Sequence, residues 1–118
     1  MDTNTLIILG GALALLYAWK TFGPNKAAPR KVVKEKIAGG ATILDVRTGG
    51  EFASGAYPHA RNIPLDALGS QLGKLGKKDG SIVVYCASGA RSAQAARLLK
   101  SAGFSDVTNA GGLGSMPR

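Results

Sequence analysis

Hydrophobic residues fall along this chain in three rhythms, and each implies a different kind of element. From Thr3 to Trp19 no residue is charged, and Leu6–Trp19 is almost wholly apolar with no polar face. As a helix rising about 1.5 Å per residue, such a run approaches the thickness of a bilayer's hydrocarbon core. Tyr17 and Trp19 stand beside Lys20, where an interfacial aromatic belt belongs. A cleaved signal peptide would carry positive charge before the apolar run, but here Asp2 precedes it and the lysines follow. The expectation is therefore a transmembrane anchor over residues 1–22, touching lipid through residues 5–22. By the positive-inside rule it is single-pass in the cell membrane, with the rest of the chain facing the cytoplasm.

The second rhythm is short and β-branched, and the third has helical spacing. Thr21–Pro29 carries the Pro, Gly and polar residues of a linker, assigned to residues 23–30. Pro29 then suits the start of a helix that places Val32, Val33 and Ile37 on one side and ends at Gly39-Gly40. Ala41–Val46 reads as a strand, Tyr57–Pro64 as an extended piece, and Leu65–Leu75 as one helix weakened by glycines. Ile82–Val84 is a buried strand, Ser92–Leu99 the core of a helix ending near Gly103, Asp106–Asn109 a last strand, and Ala110–Arg118 a tail. Strands alternating with helices predict an α/β domain over residues 31–118, its mainly parallel sheet covered on both faces.

Chemistry concentrates where the central strand meets its helix. Cys86, the only cysteine of the chain, sits at that turn and is followed by Ala87, Ser88, Gly89, Ala90, Arg91 and Ser92. The first amides of a helix lack internal partners and favour an anion in front of them. A thiolate is such an anion, and a nearby arginine depresses a thiol's pKa further. The small residues let backbone N–H groups curl around a charged sulfur or a small oxyanion. Loops at the carboxyl ends of parallel strands are also where such sheets bind ligands. A buried cysteine is more often only a small hydrophobe. The conjunction of thiol, small-residue loop, arginine and helix start makes a reactive or anion-binding thiol the better reading.

Composition narrows the alternatives. One cysteine excludes an internal disulfide, and no Cys/His spacing resembles a zinc site, so a metal cofactor is not expected. The net charge of +8 on 118 residues would invite nucleic acid, but half of it lies in residues 1–40, just after the apolar run. Anionic lipid headgroups are its natural partner there, and no aromatic-rich basic motif points to nucleic acid.

Elsewhere, Asp45 at the end of its strand is read as a cap for loop amides, and Arg47 with Glu51 as a pair shaping the following turn. For Asp45 and Arg47 a role supporting the site stands equally open. His59, the only histidine, is read as a loop residue rather than a base for Cys86.

Taken together, Leu44-Asp45-Val46-Arg47 with Glu51-Phe52, Ala60-Arg61-Asn62-Ile63-Pro64, Val83-Val84-Tyr85-Cys86 with Gly89, Arg91 and Ser92, then Gly103-Phe104 and Ala110-Gly111-Gly112, resemble a single-domain rhodanese. Asn109–Leu113 with Met116-Pro117 is similar to the small phage-shock type. The Tyr57–Arg61 segment departs from the family's usual Gly-Ile-Pro-Gly-Ala. The resemblance implies a three-layer fold and a cofactor-free sulfurtransferase. Cys86 would take sulfane sulfur from thiosulfate or a persulfide donor and pass it to cyanide or a thiol. Residues 87–92 would bind the substrate, with Arg91 holding a dianionic donor. An alternative is a module that carries persulfide or binds a partner without turning over. Phosphatases and arsenate reductases of this fold use a loop one residue longer, so the four residues between Cys86 and Arg91 favour sulfur over phosphate.

Overall fold

A computed structural model describes residues 26–118. The expected anchor and the first three residues of the linker, 23–25, lie outside the described residues. Among the described residues, no helix is long and apolar enough to cross a membrane.

Four strands of the described residues form one parallel sheet. Helix α1 (Arg30–Ala38) leads into β1 (Thr42–Asp45), then α2 (Gly49–Ala53), β2 (Arg61–Asn62) and α3 (Leu65–Leu68). After a 3₁₀ turn at Leu72–Leu75 come β3 (Ser81–Cys86), α4 (Ala90–Ser101) and β4 (Asp106–Gly112), and a second 3₁₀ turn at Leu113–Ser115 follows. The spatial order is β2-β1-β3-β4, which puts β3 inside the sheet with partners on both sides.

The period of two along each strand divides the core. Leu44, Val46, Ile82, Val84 and Cys86 point to one face, against Leu68 of α3 and Ala95, Ala96 and Leu99 of α4. Ile43, Val83 and Tyr85 point to the other, against Val33 of α1, Ala110 and Met116. Leu44, Val83, Val84 and Leu99 are completely buried. Each such side chain contributes about 1.5–3 kcal/mol relative to exposure. The alternation thus delivers Cys86 and Tyr85, neighbours in sequence, to opposite faces.

Several expectations are corrected. Leu65–Leu75 is not one helix but a short α3 and a separate 3₁₀ turn. Gly69 caps the end of α3 and Gly73 lies within the 3₁₀ turn, glycine being costly in a helix interior. The last strand does not end at Asn109. It continues through Gly112, because a bulge opposite Val84/Tyr85 absorbs Ala110 and re-pairs Tyr85 with Gly111 and Cys86 with Gly112. Glycine makes this possible, since Gly111 takes φ +82°. The end of the linker region also joins the domain: Ala28 N–H donates to the Asn109 carbonyl at 2.8 Å, and Pro29 precedes the first turn of α1.

Candidate active site

Cys86 ends β3, and its residue is completely buried. Ala87 and Ser88 cross the sheet's carboxyl edge in exposed positions, and Gly89, at φ 111°, turns the chain into α4. That left-handed backbone suits glycine, and it aims the Gly89 N–H back at the Cys86 Sγ, 2.9 Å away. Ser92, in the first turn of α4, is buried with its hydroxyl 3.5 Å from the same sulfur. The Ser92 Oγ also lies 3.0 Å from the Gly89 carbonyl and 3.4 Å from that of Gly111. A hydroxyl proton rotates to suit its surroundings. From this position it can donate to either carbonyl or to an ionised sulfur.

Burial pushes the Cys86 thiol up, but hydrogen bonds from the Ser92 hydroxyl and the backbone N–H groups of Ser92, Gly89 and Ser88 outweigh it. The balance holds the thiol below its ordinary 9.0. An ionised sulfur at this position would be stabilised by fixed dipoles. On the far side of the loop, a Cβ at Gly112 would stand 2.5 Å from the Ala87 carbonyl oxygen, so the close approach of β4 to the loop requires glycine there.

The Arg91 guanidinium is bound to a carboxylate. Its Nη1 and Nη2 donate to Glu51 Oε1 and Oε2 at 2.6 and 3.0 Å, a two-pronged pair. Glu51 is in turn held by a capping box at the start of α2, accepting from the Thr48 N–H and hydroxyl at 3.1 and 3.2 Å. The expected Arg47–Glu51 pair is thus replaced by Glu51–Arg91. Hydrogen bonding from Arg91 and Thr48 holds the Glu51 carboxyl down at about 2, so it stays charged.

Arg47 instead closes on Asp45. Its Nε and Nη2 reach the Asp45 carboxylate at 2.7–3.1 Å, and Nη2 also donates to the Gly55 carbonyl at 2.7 Å. Asp45 accepts the Arg47 N–H at 2.9 Å, which bears out its reading as a loop-amide cap. The Tyr85 hydroxyl donates to Asp45 Oδ2 at 2.7 Å and accepts from the Tyr57 N–H at 3.0 Å. Arg47 also lies over the Tyr85 ring, 5.7 Å from its centre. Asn62 donates to the carbonyls of Asp45 and Arg47 at 3.1 and 2.9 Å. This network lies on the Tyr85 face, behind the strand end that carries the sulfur.

The structure therefore brings Gly89 and Ser92 to Cys86, leaves Ala87, Ser88 and Ala90 exposed around it, and sets Asp45 and Arg47 apart as bracing. His59 is exposed, with φ 65° in a loop. Sequence reasoning missed Glu51 as the partner of Arg91, along with Tyr85 and Gly112. The Thr48-x-x-Glu51 spacing could have shown the cap, but nothing local could have shown the arginine 40 residues on.

A conserved-family model for the rhodanese-like domain matches residues 29–113. This chain belongs to the rhodanese-like family. Its domain is 37% identical over 67 residues to a sulfurtransferase of Allochromatium vinosum, covering 57% of this chain and 62% of that one. It is 34% identical over 71 residues to the thiosulfate sulfurtransferase PspE of Escherichia coli, covering 59% of this chain and 68% of that one. A solved E. coli rhodanese with anions superposes with a TM-score of 0.62 at 32% identity, covering 65% of this chain and 94% of that one. The rhodanese-like fold, with its parallel sheet between helices, is thus common to sequence and structure.

Proposed function

We propose that this rhodanese-like domain is a sulfurtransferase that works through a persulfide on Cys86. The observation that carries the reading is the Gly89 N–H pointing at the Sγ from 2.9 Å, with the Ser92 hydroxyl beside it. Cys86 thiolate attacks the outer sulfur of a donor such as thiosulfate. The donor's S–S bond breaks, a new S–S bond forms on Sγ, and sulfite leaves with the bonding pair. The outer sulfur of the persulfide then passes to cyanide or a thiol, which returns Cys86 as thiolate. The same backbone N–H groups serve an anionic sulfur in either state. Residues 87–92 are proposed to line the donor's path, with Asp45 and Arg47 supporting the strand ends.

Intact-mass measurement of the chain incubated with thiosulfate, with and without cyanide, tests this. Wild type gains one sulfur atom and loses it to cyanide, whereas Cys86→Ser gains none. Retention of the mass gain in Cys86→Ser overturns the assignment.

Complete burial of Cys86 favours a second reading, a persulfide carrier that turns over slowly with free small molecules. In that case the mass gain persists but cyanide removes it slowly. For residues 5–22 we keep the proposal of a single-pass membrane anchor with the domain on the cytoplasmic side. Its support is the uncharged apolar run beside Tyr17, Trp19 and Lys20. Release of the full chain from membranes by alkaline carbonate overturns it.

A further inference from the structure

Beside the loop, the carboxyl ends of β1 and β2 and the start of α4 enclose a recess of about 310 Å³ lined by Val46, Thr48, Pro64, Leu65, Asp66 and Arg91. Three of its six walls are apolar side chains. Its only cation is Arg91, at the start of α4 and next in the chain to Ser92, whose hydroxyl stands 3.5 Å from the Cys86 Sγ. A dianion such as thiosulfate would need that guanidinium free. It is not free: both Nη groups are bound to Glu51, and the Thr48 cap pins Glu51 in turn. Asp66 adds a second carboxylate to the same recess.

Charge and shape agree on what fits. Opposite charges cancel within the Glu51–Arg91 pair, so the recess offers no net attraction to a doubly charged inorganic donor, and Asp66 repels one. A carbon-bearing donor with a single charge has apolar walls to bury against and less repulsion to overcome. We propose that Glu51 sets the donor class by occupying Arg91, selecting singly charged organic sulfane-sulfur donors, thiosulfonates or alkyl persulfides, over inorganic thiosulfate. Glu51 is a positioning residue here, since it acts through Arg91 and touches no reacting atom. This inference rests on the sulfurtransferase reading of Cys86 and names the substrate of that same site.

The sulfur balance is simple for such donors. With a thiosulfonate, Cys86 thiolate attacks the terminal sulfur, the S–S bond breaks, and the sulfinate leaves with the electron pair. With a persulfide, the leaving group is the thiolate of the donor. Neither step needs an external oxidant or reductant.

The test is steady-state kinetics of the full chain with thiosulfate and with benzenethiosulfonate, using cyanide as acceptor. Glu51→Gln keeps an acceptor oxygen for the Thr48 cap while removing the charge. It is expected to lower KM for thiosulfate about tenfold, the scale of one charge-assisted hydrogen bond gained by the donor. The KM for benzenethiosulfonate should change less than about threefold, with kcat steady for both. Glu51→Gln combined with Arg91→Gln should lose the gain, showing that the effect passes through Arg91. As a separate variant outside the ion pair, Asp66→Asn should shift the thiosulfate KM in the same direction by about twofold.

Equal movement of both KM values in Glu51→Gln, or movement of neither, overturns the donor inference while sulfur transfer to Cys86 still stands. If intact mass shows that neither donor loads Cys86 in wild type, the sulfurtransferase reading falls and the inference with it.

Discussion

Two arginine–carboxylate pairs flank the end of β3, and they differ in almost everything except chemistry. Arg47 and Asp45 are two residues apart, buried, and enclosed by Tyr85, Gly55 and the loop amides, with Asp45 at 0% and Arg47 at 6% exposure. Arg91 and Glu51 are 40 residues apart, and both side chains keep 35% of their surface open. In the first pair both Asp45 carboxylate oxygens and the Arg47 Nε and Nη2 groups are bonded inside the protein, so the pair braces the strand ends. In the second, a charge pair is held beside a recess that Arg91 helps to line. Burial, more than residue type, separates the buried brace from the pair left open to solvent.

The largest effect expected from breaking this contrast is on the buried pair. Asp45→Ala leaves the Arg47 guanidinium stranded and should cost about 3–5 kcal/mol in urea unfolding. A loss below about 1 kcal/mol would mean that the buried pair is no more structural than an exposed one. Tyr85→Phe removes the hydroxyl that Asp45 and the Tyr57 N–H share, and should cost about 1–3 kcal/mol.

The same hydroxyl reports through pH. Burial, then the bond to Asp45, pushes Tyr85 up from 10.0 to about 12. Because the folded value lies above the unfolded one, its contribution to stability is whole below pH 10.0 and is lost as pH rises through about 12. Phenolate absorbance, taken as the difference between wild type and Tyr85→Phe, should rise near the upper value. A rise near 10.0 would show the hydroxyl unheld.

Cys86 sharpens the picture between the two pairs. Its folded pKa lies below the ordinary 9.0, so the ionised sulfur adds stability above that value, and the contribution is lost as pH falls through the folded pKa. Iodoacetamide alkylation should therefore reach half its maximal rate at a pH below 9.0. A midpoint at or above that value would contradict a thiolate held by the loop.

The smallest effect is expected at Glu51. Its carboxyl, held at about 2, keeps the pair intact from neutral pH down past the ordinary 4.5 and loses it only as pH falls through about 2. The ratio of thiosulfate to thiosulfonate KM should consequently stay flat between neutral and mildly acid pH. Glu51→Gln should melt in urea with wild type, since an exposed pair adds little to stability.

Much of this architecture was legible in the chain. The β-branched run before Cys86, the small loop and the alanine-rich helix announced the strand, turn and helix that frame the sulfur. Pro29 and Gly39 marked the ends of α1, and Gly103, at φ +102°, the end of α4. These features are local, set by backbone preference and hydrophobic period. The split at Gly69 was not legible, because helical spacing continued across it. Nor was the extension of β4, where a bulge at Ala110 makes a glycine-rich tail into a strand backing the loop.

The partner of each arginine was legible only in part. Reading along the sequence, Arg47 with Glu51 was the natural pair, four residues apart. Packing instead gave Arg47 the carboxylate two residues before it, because both reach the same buried pocket beside Tyr85. Glu51 was then turned by its cap toward α4.

By itself, the order of residues determined where the single thiol stands, since its place between a buried strand and a helix start is a matter of neighbours in the chain. Which charges face that thiol, and which are spent on holding the sheet, was decided only in three dimensions. A carboxylate's partner is chosen by distance and desolvation, and neither is a property of spacing along a sequence.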